Sequence, residues 1–422
     1  MFTSAALLLA VFAAQFGPAG ATTTDFDRRE DSATAVAVQP DGRLVVAGSS
    51  SDANQEHSSF ALSRYREDGA LDPSFGGDGT VTTVFGSGGA RDLVVQADGR
   101  IVAVGEAGDS EDQGMGAVRY LPDGTLDPSF GGDGSVNLEK IGRSGPDCRS
   151  ADAVAQQADG KLVLVGTVGC GGEAGDTQLA VVRLNADGSL DPSFDRDGTR
   201  TPAFGTCTYG TAVALLPDGK ILAGGNDGGC YEERGPFRVA RLNPDGTSDR
   251  AFGRRGRQRV AFPGRQAWVE DLIVDAQGRT LVVGTAGREF GKGRYRVTHA
   301  LARLTSRGAV DRSFGRAGIT LAPRGRRAHT FASAAALLPD GRIAVVGTMA
   351  AFTERSDPRI AVYRQDGGLD RSFRRGGAGH VRFGGTRESA DAVAVDAAGG
   401  VVIAGSSHVG GSLDFGVARV AL

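Results

Sequence analysis

The nine-residue stretch LDPSFGGDG occurs at Leu71 to Gly79 and again, unchanged, at Leu126 to Gly134. Variants of it follow at four more places along the chain: LDPSFDRDG from Leu190, SDRAFGRRG from Ser248, VDRSFGRAG from Val310 and LDRSFRRGG from Leu369. Self-similarity at a nearly constant spacing is the sign of a fold assembled from repeated units.

A second motif has the same spacing. It consists of a turn glycine, a short apolar run and another glycine, and it occurs seven times: DGRLVVAG from Asp41, DGRIVAVG from Asp98, DGKLVLVG from Asp159, DGKILAGG from Asp218, QGRTLVVG from Gln277, DGRIAVVG from Asp340 and AGGVVIAG from Ala398. Successive copies are 57 to 63 residues apart. The chain therefore contains seven units.

Each unit contains four short apolar runs separated by turn residues, such as ATAVAVQ, RLVVAG, FALSRY and TVTTVF in the first unit. Short runs rich in valine, isoleucine, leucine and threonine between Asp-Gly pairs are typical of strands joined by hairpins. The 66 glycines disfavour helix throughout. The sequence predicts an all-β fold, a seven-bladed β-propeller of four-stranded antiparallel blades.

In the first runs AVAV (Ala35 to Val38), LVVQ (Leu93 to Gln96), AVAL (Ala212 to Leu215) and AVAV (Ala392 to Val395), both alternating positions are apolar and one set is mostly alanine. Such runs are typical of strands buried on both faces, so we place this strand innermost, where the blades converge. The last unit lacks a fourth strand. Phe26 precedes Gly42 by 16 residues, as Phe262 precedes Gly278 and Phe383 precedes Gly399. Residues 22 to 26 are therefore expected to pair with the last blade and close the ring.

The LDPSFG motif connects the third and fourth strands of six blades and is interpreted as architectural. A carboxylate repeated six times at equivalent places is typical of a building element, and its partners would be backbone amides or the third-strand arginines Arg64, Arg119, Arg183, Arg241 and Arg303. The phenylalanine is expected to fill the space between blades. The repeated residues are Asp72, Asp127, Asp191, Asp249, Asp311 and Asp370, with Phe75, Phe130, Phe194, Phe252, Phe314 and Phe373.

The pattern RYxxDGxLDPSFGxxG followed by AVAVQPDGRLVVAG resembles the delta-60 repeat family of secreted bacterial proteins. The resemblance covers almost everything after residue 22. It implies propeller-type blades and export, and no agreed activity comes with it.

The amino-terminal segment is predicted to be a signal peptide. An apolar run from Ala5 to Phe16 precedes a Pro-Gly break and the small residues Ala19 to Ala21. We expect cleavage after Ala21, a single propeller over residues 22–422 and a secreted or cell-envelope location. A buried amino-terminal helix is the alternative. No later segment has the 18 apolar residues of a membrane helix.

Four cysteines lie at matching loop positions of the third and fourth units: Cys148, Cys170, Cys207 and Cys230. The loops before the first strand and after the second strand emerge on the same face of a propeller. Disulfides Cys148–Cys170 and Cys207–Cys230 are therefore expected, in agreement with export. A zinc site is the alternative, although the close CxxC spacing is missing.

Charge is unevenly distributed along the chain. The net charge of −3 and the pI near 6.0 argue against a nucleic-acid partner, yet residues 250–330 contain 18 basic and 5 acidic side chains. This segment contains the single tryptophan and a candidate partner-binding set: Trp268, Arg265, Arg288, Arg294, Arg296, Arg326 and Arg327. Such a sector would suit an acidic polysaccharide or a protein partner. The alternative is a packed tryptophan among solvated arginines.

No catalytic, cofactor or metal motif is present in the sequence. Four histidines fall in or beside variable loops: His57, His299, His329 and His408. Binding sites tend to lie on variable loops of a rigid frame. We therefore expect an exported, monomeric, non-enzymatic propeller that binds its partner through the variable-loop face. The alternative is a secreted hydrolase or lyase with its active site at the channel mouth, which clustered histidines would favour.

Overall fold

The chain forms a closed ring of seven four-stranded antiparallel sheets, so the predicted seven-bladed propeller is confirmed. The computed structural model describes residues 20–27, 29–52, 58–86, 88–108, 114–138, 150–169, 177–202, 204, 207–227, 235–291, 294–322, 328–351, 356–374 and 376–422. These residues contain no helix, and hence no helix able to cross a membrane.

The blades are numbered in chain order, and the first six each take four consecutive strands. Blade one comprises β2 (Glu30–Val38), β3 (Leu44–Ser51), β4 (Ser58–Tyr65) and β5 (Thr80–Thr83). Blade two comprises β6 (Ala90–Val95), β7 (Ile101–Ala107), β8 (Gly114–Tyr120) and β9 (Ser135–Leu138). Blade three comprises β10 (Ser150–Gln156), β11 (Leu162–Val168), β12 (Gln178–Leu184) and β13 (Thr199–Arg200).

Blade four comprises β14 (Thr208–Leu215), β15 (Ile221–Asp227), β16 (Phe237–Leu242) and β17 (Arg257–Val260). Blade five comprises β18 (Gln266–Val274), β19 (Thr280–Gly291), β20 (Arg294–Leu304) and β21 (Ile319–Leu321). Blade six comprises β22 (Ala328–Leu337), β23 (Ile343–Ala351), β24 (Ser356–Tyr363) and β25 (Ala378–His380). Blade seven has the order β1 (Ala21–Thr24), β28 (Ser412–Val420), β27 (Val401–Val409) and β26 (Ala392–Val395).

The amino-terminal strand closes the ring, as the spacing of the phenylalanines predicts. β1 pairs antiparallel with β28, from Ala21 opposite Ala418 to Thr24 opposite Phe415. The expected strand of residues 22–26 is thus shifted by one or two positions. Phe26 leaves the ladder and packs its buried ring 4.8 Å from that of Phe415. Closure supplies β28 with a partner that it would otherwise lack at the outer edge.

The first strand of every blade is innermost. Each one contacts the first strand of the next blade, from β2 through β6, β10, β14, β18 and β22 to β26, and β26 contacts β2. Apolar side chains fill the space between blades: Phe75 of blade one, for example, is fully buried in a cluster with Ile101 and Tyr120 of blade two.

Arginines on the third strands tie blades one to five to the blades that follow. In each, Nε lies 2.7–2.8 Å from Oδ2 of the LDPSFG-type aspartate, and the guanidinium stacks over the phenylalanine of the same motif at 4.5–4.8 Å. Nη1 donates to a backbone carbonyl of the next blade, that of Pro122, Ala186, Pro244, Ser306 or Gln365. One side chain therefore joins two blades.

Blade six lacks this arginine, as its sequence indicates. Val362 takes its place and donates its backbone N–H to Gly377, just as Arg64 does to Gly79 in blade one. Asp370 keeps the second cation that Asp72 and Asp127 also have, the arginine after the Asp-Gly turn, and accepts a bond from Arg342 Nη1 at 3.1 Å. Arg342 follows the Asp-Gly turn of the second strand, so the carboxylate is neutralised from a different element of the same blade.

Candidate functional site at the channel mouth

A cavity of about 510 Å³ runs along the propeller axis and is lined by the first strands of all seven blades. Its position follows from the inner strands, whose alanine-rich sequences let the blades approach closely. In propellers such a channel is the natural place for residues of different blades to meet. The side chains that enter it are therefore the first candidates for a functional site.

Six of the seven inner strands have a register shift at the same place, where one extra residue is inserted opposite the second strand. Asp391 occupies the equivalent place in blade seven, donating its N–H to Ala404. A bulge redirects the inserted side chain. Here seven such residues line the cavity and form what we call the channel ring: Thr34, Arg91, Asp152, Thr211, Glu270, Ser333 and Asp391.

Three of the seven channel-ring residues are acidic, one is basic and three carry hydroxyl groups. Burial raises the pKa of Asp391 to about 6, against the opposing hydrogen bond from the Ser389 hydroxyl. Burial also raises the pKa of Asp152, which the Ser150 hydroxyl and the charge of Arg91 partly offset. Arg91 is the only cation of the ring, and its Nη2 lies 2.7 Å from Glu106 Oε1. Carboxyl groups with raised pKa values in a cleft are candidates for proton transfer or ligand binding.

Two further carboxylates, Asp92 and Asp271, line the cavity next to the ring but are engaged with the backbone. Asp92 accepts N–H bonds from Leu93 and, in blade three, from Val154, both at 2.8 Å. Asp271 similarly bridges blades five and six through Ala335 at 2.9 Å. Burial raises their pKa values to about 7 and about 6, and the charge of Asp271 adds to the shift of Asp92. These two side chains fasten blades together.

The residues two positions before the channel ring form a second ring nearer the variable-loop face, here called the mouth ring: Ser32, Gly89, Ser150, Tyr209, Trp268, Phe331 and Ser389. Its members differ sharply between blades. Blades four to six carry large aromatic side chains, whereas the others carry serine or glycine. Tyr209 and Phe331 are 41% and 36% exposed, which is unusual for aromatic residues on inner strands. We call Tyr209, Trp268 and Phe331 the aromatic arc.

The second glycine of the repeat motif is explained by the mouth ring. At these seven glycines, a Cβ would lie 1.8–2.3 Å from the carbonyl oxygen of the mouth-ring residue of the same blade. The bulge presses that carbonyl against the second strand, so only glycine fits there. The glycines are Gly48, Gly105, Gly166, Gly225, Gly284, Gly347 and Gly405. They are the sequence signal from which the bulges could have been found.

The basic sector predicted from the sequence lies beside the aromatic arc. Trp268 is partly buried and its ring approaches Gly287 of the neighbouring strand, where a Cβ would lie 3.4 Å from Cη2. Arg265 and Arg296 are partly buried and Arg288 is exposed. The side chain of Arg294, together with Arg326 and Arg327, lies outside the described part of the structure.

The described histidines do not gather at the channel. His299, His329 and His408 belong to blades five, six and seven, and His57 lies outside the described residues. Burial lowers the pKa of His299 to about 4, which makes it a neutral core residue at neutral pH. His329 stacks at 6.1 Å on Phe331 of the aromatic arc. Within the described residues, no histidine belongs to a group of three metal-ligating side chains.

Of the four cysteines, the structure describes one. Cys207 is buried and disulfide-bonded. Cys148, Cys170 and Cys230 lie outside the described residues, so the pairing stays a prediction.

Comparison with known proteins identifies the repeats. A family model described as "Domain of unknown function (DUF5122) beta-propeller" matches residues 39–75, 96–130, 157–194 and 216–252. Each match runs from a turn before the second strand to the phenylalanine of the LDPSFG-type motif. No curated protein sequence matches the chain. The delta-60 name stays a prediction.

Solved structures share the fold at low sequence identity. An ulvan lyase from a new family of polysaccharide lyases is 10% identical, with 95% of this chain and 98% of that chain covered at a TM-score of 0.51. Virginiamycin B lyase from Staphylococcus aureus is 9% identical, with 95% and 99% covered at 0.49. A protein of unknown function from Dyadobacter fermentans is 13% identical, with 95% and 97% covered at 0.46. At these identities the likeness concerns the fold alone, and the chain is a β-propeller repeat protein.

Proposed function

We propose that the protein is an exported propeller that binds a polysaccharide across the mouth of its channel. The observation that carries the proposal is the aromatic arc. Three consecutive blades present Tyr209, Trp268 and Phe331 at the same position around one opening, and two of the three are substantially exposed. Sugar rings have flat apolar faces that stack on aromatic side chains, so an arc of this kind suits a chain of sugars.

The charges favour an acidic polysaccharide that lies over the mouth. Arg265, Arg288 and Arg296 flank the arc on blade five, and the charge of Arg296 helps to lower the pKa of His329 beside Phe331. Guanidinium groups bind carboxylates and sulfates well. Below the mouth, the carboxylates of the channel ring would repel the same ligand. A polyanion is therefore expected to lie mainly across the opening, where only the part nearest the channel ring comes within reach of its carboxyl groups.

Two further observations support this proposal. The ulvan lyase of similar fold was solved bound to -[GlcA(1-4)Rha3S]-, an anionic polysaccharide. The apolar leader in residues 1–21 and the paired cysteine positions suit export, where such polymers occur. We expect the protein to be a monomer. A protein that binds the same face is the alternative to a polysaccharide partner.

Binding can be tested with a panel of neutral, uronate-bearing and sulfated polysaccharides, followed by titration calorimetry. Tyr209→Ala and Phe331→Ala should each weaken binding by about tenfold or more, since exposed aromatic anchors dominate such contacts. Leu190→Ala is the matched control, because Leu190 is 38% exposed on the opposite face. Absence of binding to every polysaccharide, or equal losses in the control, would refute the proposal.

A second candidate function is cleavage of the bound polysaccharide. The raised pKa values of Asp391 and Asp152 favour it, because a carboxyl group that is protonated near neutral pH can act as a general acid. Incubation with the bound polysaccharide should then release reducing ends or unsaturated products. Asp391→Asn should abolish that release without loss of binding, and intact polymer after incubation would leave a binding protein.

A further inference from the structure

The seam where the ring closes contains a cluster of carboxylates that is separate from the channel. Asp25, Asp31 and Asp414 each place a carboxylate oxygen within 4.8 Å of the other two. Asp25 follows β1, Asp31 lies in β2 of blade one, and Asp414 lies in β28 of blade seven. Ring closure therefore brings Asp414 of blade seven next to two carboxylates that lie close together in the sequence near the amino terminus.

Asp31 is fully buried, and only one of its oxygens has a hydrogen-bond partner. Oδ2 accepts the backbone N–H of Phe26 at 2.8 Å, whereas Oδ1 is buried without a partner. A buried carboxylate oxygen without a partner is costly, so its presence calls for a ligand.

A neighbouring hydroxyl gives an independent sign of the same kind. Ser50, on β3, is also fully buried, and its Oγ has no hydrogen-bond partner. Ser50 lies opposite Asp31 in the β2–β3 ladder, and its hydroxyl faces that carboxyl and lowers its pKa. Two oxygens from different strands thus lie together in the interior, both unsatisfied, next to two further carboxylates.

The carboxylates of the cluster repel one another. Burial, with smaller contributions from the charges of Asp25 and Asp414, raises the pKa of Asp31 to about 6 against the opposing effects of the Phe26 N–H and the Ser50 hydroxyl. Burial likewise raises the pKa of Asp414, against the hydrogen bond from the Ser412 hydroxyl at 2.9 Å, and the charges of Asp25 and Glu30 add to the shift while His408 opposes it. Mutual repulsion of this kind is typical of carboxylates arranged around a positive ion.

We propose that Asp25, Asp31 and Asp414 bind a Ca²⁺ ion, with Ser50 Oγ at its edge. All the donors are oxygens, which calcium and magnesium prefer and zinc does not. The donors come from separate segments with irregular geometry, which calcium tolerates in its sets of six to eight oxygens, whereas magnesium demands a near-ideal octahedron.

Such an ion would fasten the ring. It would connect the end of β1 to both strands that flank the seam, β28 of blade seven and β2 of blade one. The four-residue β1 would then be held by coordination as well as by its ladder. This inference is independent of polysaccharide binding at the mouth.

The test is a thermal melt of the full-length protein at pH 7.5 with excess EDTA or with CaCl₂. At a calcium concentration a hundredfold above Kd, the Tm of a chain of this size should rise by about 3 °C. Calorimetry should show one calcium site per chain. Hydrogen exchange of the Thr22 to Thr24 amides should accelerate when calcium is removed. A Tm unchanged by calcium, or a rise with Mg²⁺ but not with Ca²⁺, would overturn the proposal.

Variants separate this site from general charge effects. Asp414→Asn and Asp31→Asn should lose the calcium-dependent rise, while in EDTA they should melt at or above the wild-type temperature because repulsion is relieved. Glu67→Gln removes one exposed negative charge far from the seam and should keep the full rise. If Asp31→Asn fails to fold, Asp25→Asn tests the site instead, because Asp25 is the exposed carboxylate of the cluster. It should also lose the calcium-dependent rise in Tm. A rise preserved in all the aspartate variants would refute the site.

Discussion

Arg64 Nε donates to Asp72 Oδ2 at 2.8 Å, and both side chains are almost completely buried. The same guanidinium stacks on Phe75 and bonds to Pro122 of the next blade. The pair therefore combines a buried ion pair with a contact between blades. Its loss should leave Asp72 buried without its main counterion.

Arg64→Met is accordingly expected to destabilise the protein by about 3 kcal/mol, the usual cost of breaking a buried pair. Arg66→Met is the control. Arg66 lies two residues away, is half-exposed, and pairs with Asp68 only at 3.7 Å. It should change stability by less than about 0.5 kcal/mol. Equal midpoints of urea denaturation for the two variants would contradict the assignment.

The second glycine of the repeat can be tested within one strand. Gly225→Ala would place a Cβ 2.3 Å from the Tyr209 carbonyl, while Gly224→Ala meets only side-chain atoms of Leu272 and Val269 at 3.1 Å. Gly225→Ala should cost at least about 2 kcal/mol, and Gly224→Ala less than about 1 kcal/mol. Unfolding in urea measures both, and the reverse order would show that the bulge carbonyl does not select the glycine.

The buried Asp92 should make stability depend on pH. Its pKa in the folded protein is about 7, above its value of about 4 in the unfolded chain, so the native state binds more protons between these values. Stability contributed by this group is therefore present below pH 4 and is lost as the pH rises to 7. Asp92→Asn should flatten the profile of Tm against pH across this range, and Glu67→Gln should leave it unchanged. A variant profile as steep as that of the wild type would contradict the shift.

The cysteine pairing is open to direct measurement. Peptide mapping without reduction should recover Cys148–Cys170 and Cys207–Cys230, each closing a loop of just over twenty residues. Replacing Cys207 and Cys230 together by alanine should destabilise the protein by about 3 kcal/mol. Links between the two blades, or four free thiols in protein purified without reductant, would disprove the pairing.

Repetition made the architecture predictable. Seven glycine-flanked runs determine the number of blades, and the distance from Phe26 to Gly42 predicts ring closure, because each unit repeats the same distances. The channel ring could not be predicted in this way. Its members vary from blade to blade and most lie beside alanines that do repeat, so Asp152 and Asp391 look like ordinary variable positions.

The seam cluster was hidden for a different reason. Asp31 and Asp414 are separated by almost the whole chain, and no local motif links them. Only the closed ring brings them together, so a sequence analysis based on short spacings predicts no metal site. The aromatic arc was predictable only in part. Trp268 stands out by composition, but its relation to Tyr209 and Phe331 appears only when the bulges align the blades.

Ring closure also determines the order in which the molecule can be completed. β1 pairs with β28, which follows it after all the other strands of the propeller, so this ladder cannot form until the six intervening blades have been synthesised. Bringing such distant segments together carries the largest loop-closure entropy in the fold. Blade seven is therefore complete only in a full-length chain. A truncated chain that lacks β28 would leave strand edges unpaired and would be more susceptible to proteolysis.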